Sequence, residues 1–157
     1  MIEVGANSYL DIQSADNYLS GHHDPVAWRT ASDIDKSQAL ITATRRIDAQ
    51  PLRGRRRSET QDLAFPRAIY WQGRWRSEPD PPRAVLEACC EEALALLNSD
   101  SSEHAARAGA GVQSISIGDA SITYSSAAVA SASSGGLSSP QAMALLRPWL
   151  DGPVRIL

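Results

Sequence analysis

Nine arginine residues lie between positions 45 and 76 of this 157-residue chain, and their type and spacing indicate a surface that binds anions. The same stretch contains three acidic residues, so its net charge is +6, whereas the rest of the chain carries −9. Arginine makes bidentate contacts to phosphate and carboxylate groups. The candidate counterparts are therefore a nucleic-acid backbone and the acidic surface of a partner protein, and the alternative is a solvated loop that keeps the chain soluble. The predicted contact residues are Arg53, Arg55, Arg56, Arg57, Arg67, Arg74 and Arg76.

Aromatic residues are interleaved with these arginines, at Phe65, Tyr70, Trp71 and Trp75. Such rings can stack on the bases of a single-stranded nucleic acid. The alternative is that they anchor the segment to the hydrophobic core. We favour the core interpretation for Phe65 and leave both interpretations open for Trp71 and Trp75.

Other residue types do not form a catalytic pattern. The chain has no phosphate-binding glycine loop and no Gly-x-Ser-x-Gly nucleophile turn. His22, His23 and Asp24 are adjacent, without the helical spacing of paired metal ligands. Cys89 and Cys90 are also adjacent, which predicts small buried hydrophobic residues. We therefore expect no enzyme activity, no cofactor and no metal.

Hydrophobic periodicity predicts a mainly α fold, a small bundle of about four helices with a long basic loop and an inserted β-hairpin. Capping residues and prolines mark the helix starts. The glutamates at positions 87, 91 and 92 are expected on the solvent side of the central core helix. A first short helix is predicted to begin after Asp11 and to end before Gly21. The other predicted helices cover residues 33–49, 82–98 (the central core helix), 102–108 (a short helix) and 140–150. The basic loop is predicted to cover residues 52–81.

The region from 109 to 139 is predicted to form an interaction arm. Four apolar residues alternate with small polar ones, which is typical of a β-hairpin, and two strands alone are marginal in water. We therefore expect the hairpin to pack between subunits. Residues 125–139 are almost entirely Ser, Ala and Gly, a linker composition. The predicted intersubunit residues are Ile115, Ile117, Ile122 and Tyr124.

The order of these features resembles a family of small tailed-phage proteins, often labelled DnaT-like single-stranded DNA-binding, and the similar head–tail connector (adaptor) proteins of phage necks. The resemblance covers roughly residues 8–98 and 138–150. No role is carried over to Trp71, Trp75 or the hairpin. The matching features are Tyr9-Leu10-Asp11, the 15–19 helix, Trp28, the 35–48 helix, Gly54-Arg55, Leu63-Ala64-Phe65-Pro66-Arg67, Pro82 with the 87–97 helix, and the segment from Ser139-Pro140 to Leu150.

The resemblance implies a structural virion protein in the neck, synthesised in the host cytoplasm. The resemblance also implies that residues 1–157 form one adaptor domain and assemble into a homo-oligomer ring of about twelve copies. Such a ring would have the closed rotational symmetry that is usual for homo-oligomers. Its partners would be the portal protein, tail or nozzle proteins, and double-stranded DNA in transit through the channel, with no membrane. Residues 151–157 would be a C-terminal tail that docks on the portal through Val154, Arg155, Ile156 and Leu157.

Two other interpretations remain open. The first takes the DnaT-like label at face value and makes the chain a single-stranded DNA-binding replication protein, although its acidic total charge weighs against this. The second is a host-encoded interaction module that shares only the helices. Salt-dependent DNA binding would favour the replication protein, and co-sedimentation with portal rings would favour the adaptor.

Overall fold

The computed structural model describes residues 1–23, 25–77, 79–109 and 136–151. These residues form five α-helices and a three-stranded antiparallel sheet, which confirms the predicted mainly α fold. The helices are α1 (Ile12–Leu19), α2 (Val26–Thr30), α3 (Asp33–Asp48), α4 (Arg83–Gly109) and α5 (Pro140–Leu146), followed by a 3₁₀ turn at Arg147–Trp149, and the strands are β1 (Arg55–Arg56), β2 (Arg67–Trp71) and β3 (Arg74–Ser77).

Side-chain caps fix three of the helix starts, as the sequence predicted. A side-chain oxygen of Asp11 accepts a hydrogen bond from the Ser14 amide at 2.8 Å, and the Ser32 hydroxyl accepts one from the Asp35 amide at 3.2 Å. Ser139 caps α5 and Pro140 occupies its first turn. Each cap satisfies a backbone donor that the helix cannot pair internally.

Helix α4 is the centre of the fold, because it contacts α1, α2, α3 and α5. Its buried side chains include Val85, Cys89, Cys90 and Ala93, which pack against Leu40 and other residues of the same core. Both cysteines are free and buried, as predicted. Burial raises the pKa of the Cys89 thiol to about 12, so this thiol is uncharged at neutral pH.

The prediction of two separate helices over 82–98 and 102–108 is wrong, since α4 runs without interruption from Arg83 to Gly109. The intervening residues are polar but include neither proline nor glycine. Without such a residue, an established helix continues at little cost per residue.

The prediction that Glu91 and Glu92 lie on the solvent side of the central helix is also wrong. Glu92 is 0% exposed and Glu91 is buried. The carboxylate of Glu92 accepts hydrogen bonds from the amides of Ser138 and Ser139 and from Nη1 of Arg46, each at 2.9 Å. Three donors from two other parts of the chain therefore offset the cost of burying this charge.

The segment predicted as a long basic loop contains the whole three-stranded sheet, so that part of the prediction is wrong. The loop between β1 and β2 is held by a polar network. The Tyr9 hydroxyl bonds to the Asp48 carboxylate and accepts from the Phe65 amide at 3.2 Å, and Asp48 accepts from the Ala64 amide at 3.0 Å. Burial raises the pKa of both Tyr9 and Asp48.

Phe65 is a core residue, as predicted. It is buried, and its ring lies edge-on to Tyr9 at 6.2 Å and to Trp149 at 5.7 Å between centroids. Such edge-to-face pairs stabilise aromatic clusters beyond their buried area. The cluster joins the start of the chain, the loop between β1 and β2 and the turn after α5.

The end of α5 returns to the basic segment. Leu52 and Leu150 form an antiparallel bridge. The Arg53 amide donates to the Trp149 carbonyl at 2.8 Å, and the Asp151 amide donates to the Pro51 carbonyl at 2.7 Å. The last described residues therefore lie directly beside the chain that enters the arginine-rich sheet.

Replacing Glu92 with glutamine should lower the free energy of unfolding by about 3 kcal/mol, because the amide cannot accept from all three donors and leaves Arg46 without its charge partner. Urea unfolding followed by circular dichroism measures this. The matched control is Glu87→Gln in the same helix, whose partner Arg83 has an 89% exposed side chain. That surface pair contributes about 0.5 kcal/mol or less to stability. Equal losses of unfolding free energy in the two variants would contradict a special role for Glu92.

Candidate nucleic-acid interface

A tight hairpin joins β2 to β3 and sets the geometry of the arginine-rich segment. Its two turn residues, Gln72 and Gly73, both have positive φ, at 50° and 81°. This is the requirement of a type I′ turn, whose twist matches that of paired strands. Tyr70 therefore pairs with Trp75, and Trp71 pairs with Arg74.

Glycine is required at position 54, where β1 begins to approach β2. Its φ is 74°, and a Cβ atom there would lie 2.3 Å from the Ala68 carbonyl oxygen. The close approach allows Arg55 to pair with Ala68 and Arg56 with Arg67. The Gly54-Arg55 dipeptide of the sequence is thus the entry to the sheet.

Strand register separates the basic residues into two sets, because directly paired residues lie on the same side of a sheet and successive residues alternate. We call Arg55, Tyr70 and Trp75 the aromatic face. We call the opposite side the arginine face, and its members are Arg56, Arg67, Ile69, Arg74 and Arg76.

The aromatic face is exposed although two of its three residues are large aromatics. Tyr70 is 58% and Trp75 is 49% exposed. Their rings meet edge-on with centroids 5.5 Å apart, and the guanidinium carbon of Arg55 lies 4.2 Å from the Trp75 ring centroid. The result is an exposed surface that offers both a π system and a positive charge.

Arg67 on the arginine face is bound to the protein itself. Its guanidinium donates to the carbonyls of Arg53 and Gly54, both at 2.7 Å, of Leu52 at 3.1 Å and of Ala64 at 3.4 Å. Partial burial lowers the pKa of this guanidinium. The side chain thus clamps the chain on both sides of β1, and its role in partner contact stays a prediction.

The other predicted contact residues surround this clamp. A guanidinium nitrogen of Arg53 donates to the Pro148 carbonyl at 3.5 Å, and one of Arg56 donates to the Gln61 carbonyl at 3.4 Å. Arg57 pairs through its amide with Pro66. The structure brings all seven arginines into one sheet and its borders, with Arg74 and Arg76 exposed on β3.

The remaining predicted contacts lie outside the described residues. These are the intersubunit set (Ile115, Ile117, Ile122 and Tyr124), residues 125–135 of the Ser/Ala-rich arm and the portal-docking set (Val154, Arg155, Ile156 and Leu157). Residues 136–139 of the arm are described, and the amides of Ser138 and Ser139 bond to Glu92 of the same chain. The Trp71 side chain is also outside the described part of the chain, so its two interpretations stay open, whereas Trp75 is on the surface.

The family described as "Putative DnaT-like ssDNA binding protein" matches residues 1–156. The chain belongs to this family. No curated protein and no solved structure matches it. The match supports the DnaT-like part of the sequence resemblance, whereas nothing in the comparisons supports a phage head–tail adaptor specifically.

Other candidate chemistry is sparse in the part of the chain that the structure describes. No group of three or more His, Cys, Asp or Glu side chains is placed to hold a metal ion there. Nε2 of His22 lies 3.3 Å from Oε1 of Glu91. The same carboxylate oxygen accepts a hydrogen bond from the Tyr18 hydroxyl at 2.9 Å. No helix in the described residues is long and apolar enough to cross a membrane.

Sequence reasoning missed two features of this site. It found the arginines but not the sheet that orders them, although the glycine at position 73, between Tyr70-Trp71 and Arg74-Trp75, is a turn signal. It could not distinguish Arg67, which binds backbone carbonyls, from the arginines around it. Only the fold shows that carbonyls from four separate residues converge on one guanidinium.

Replacing Arg67 with alanine should lower the free energy of unfolding by about 2 kcal/mol, because four carbonyls lose a charged donor. Thermal and urea unfolding both measure the loss. Arg74→Ala removes an equally charged but exposed side chain, and it should change stability by about 0.5 kcal/mol or less. An unchanged free energy of unfolding in Arg67→Ala would show that these hydrogen bonds do not stabilise the sheet.

Proposed function

We propose that this protein binds single-stranded DNA by stacking bases on the aromatic face and by contacting phosphates with exposed arginines of the same sheet. The observation that carries the proposal is the exposed Tyr70–Trp75 pair with Arg55 against the indole ring. Bases stack on aromatic rings and on guanidinium planes, and this stacking tolerates any sequence. The family description points to the same ligand.

Charge distribution supports a polyanionic ligand. The stretch that contains the sheet carries +6 in a chain whose total is −3. A local basic surface can attract phosphate although the whole molecule is acidic, because exposed charges are screened beyond about 10 Å at moderate salt. The proposal requires no catalytic group, so we expect the protein to bind DNA without modifying it.

Exposure of the aromatic residues favours single strands over duplexes. Bases in a duplex are already stacked and paired, whereas those of a single strand are free to stack on Tyr70 and on the Arg55–Trp75 pair. Stacking contributes about 1–3 kcal/mol per base. We therefore expect tighter binding to a single-stranded oligonucleotide than to a duplex of equal length at the same salt concentration.

A head–tail adaptor is the second candidate, and one contact favours it. The bridge between Leu52 and Leu150 brings the segment that leads into residues 152–157 beside the arginine-rich sheet. The predicted portal-docking tail and the basic surface could then form one composite contact, in a ring whose channel carries double-stranded DNA. Retention on portal rings that is lost when residues 152–157 are removed would support the adaptor.

The double variant Tyr70→Ala/Trp75→Ala should weaken binding of a labelled dT20 oligonucleotide about tenfold or more, since two stacking surfaces are lost. Fluorescence anisotropy measures the dissociation constant. Ile34→Ala, which removes an exposed apolar side chain from α3, is the matched control and should leave the constant unchanged. Equal dT20 affinity in the double variant and the wild type would refute the proposal.

The arginines are tested by the salt dependence of the same titration. Replacing Arg55, Arg74 and Arg76 with serine should reduce the slope of log affinity against log salt by about 2, or about 0.7 per lost phosphate contact. Arg29→Ser removes a charge from α2, outside the sheet, and should leave the slope unchanged. An unchanged slope in the triple variant would show that these arginines do not contact phosphates, and it would favour the alternative that they only keep the surface solvated.

A further inference from the structure

A concave surface lies on the arginine face, opposite the aromatic face. It is a cavity of about 350 Å³ between the sheet and the turn that follows α5. Its volume falls within the range of small-ligand sites. The residues that the argument uses are Arg53, Ile69, Arg76, Asp80 and Trp149, all of which line it.

One part of the cavity is basic. Arg53 and Arg76 both line it, and a guanidinium carries five N–H donors. The bond from Arg53 to the Pro148 carbonyl is long, at 3.5 Å, and uses one of these donors. Arg76 is exposed on β3. Two arginines that line one cavity supply the charge and the donors that phosphate recognition requires.

Another part of the cavity is apolar and rigid. Trp149 lies edge-on to buried Phe65, with ring planes at 85°, so packing fixes the orientation of the indole. Ile69 and Pro82 add aliphatic surface. A planar ring of the ligand can pack against this wall while its phosphate reaches the arginines.

Asp80 distinguishes the cavity from a simple anion site. Asp80 lines the same space, and a carboxylate accepts a hydrogen bond from an amino group. Cytosine presents such a donor at N4, whereas thymine presents a carbonyl oxygen at the corresponding position. A ligand with a phosphate at one end and an exocyclic amino group at the other therefore complements all three features.

We propose that this cavity binds one nucleotide of DNA, with its phosphate on Arg53 and Arg76 and its base against Trp149, and that it prefers cytosine to thymine through Asp80. This inference rests on the proposed DNA-binding function and adds a base-selective subsite to it. An acidic peptide fits less well, because it would bring carboxylates against Asp80 as well as against the arginines.

The experiment titrates the full chain with dCMP and dTMP by isothermal calorimetry. Wild-type protein should bind dCMP at least about fivefold more tightly than dTMP, the lower end of what one base-edge contact contributes. Asp80→Asn should remove this preference, because its amide can also donate to thymine O4. Arg76→Ser should weaken both nucleotides, whereas Arg29→Ser, which removes a charge from α2 outside the sheet, should weaken neither.

Parallel titrations with dT20 separate this inference from the proposed function. The Tyr70→Ala/Trp75→Ala variant should lose dT20 affinity and keep dCMP binding. Wild-type binding of dT20 without dCMP would overturn the subsite and leave the proposed function intact. Binding of dCMP without dT20 would support the subsite and overturn the function. Equal affinity for both nucleotides, or displacement of dCMP by an aspartate-rich peptide, would overturn the subsite.

Discussion

The hydrogen bonds accepted by the buried carboxylate of Glu92 are the interaction on which the rest of the structure depends. It joins α3, through Arg46, to the two amides that precede α5. That attachment positions α5, and the turn after α5 places Trp149 against Phe65. A charge buried in α4 thus sets the position of the cavity wall near the sheet. The three hydrogen-bond donors offset the free-energy cost of burying this charge, and an unpaired carboxylate in the core would destabilise the fold far more.

The basic segment combines two uses of arginine that the amino-acid type alone does not distinguish. Arg67 is bound to four backbone carbonyls and so fixes the path of the chain around Gly54. That fixed path lets β1 pair with β2, which brings Arg55 over the ring of Trp75. One arginine inside the fold therefore orders another on the surface. The proposed binding surface is organised before any ligand arrives, which lowers the entropic cost of binding.

Much of the fold was predictable, because the helices carry local signals. Caps at Asp11, Ser32 and Ser139 and the apolar pattern of α4 depend on neighbouring residues only. The burial of Glu92 was not predictable, since its partners are 46 residues or more away along the chain. The site was predictable in composition but not in geometry. Which arginines are exposed depends on the register of three short strands, and strand pairing is a non-local property.

Ultraviolet cross-linking of the full chain to a dT20 oligonucleotide, followed by mass spectrometry of the adducts, tests the central claim most directly. Bases that stack on aromatic side chains are in the contact that this chemistry requires. The account predicts adducts on Tyr70 and Trp75, which disappear when unlabelled single strands compete and persist when duplex DNA is added. Adducts confined to residues outside the sheet, with Tyr70 and Trp75 unmodified, would contradict it.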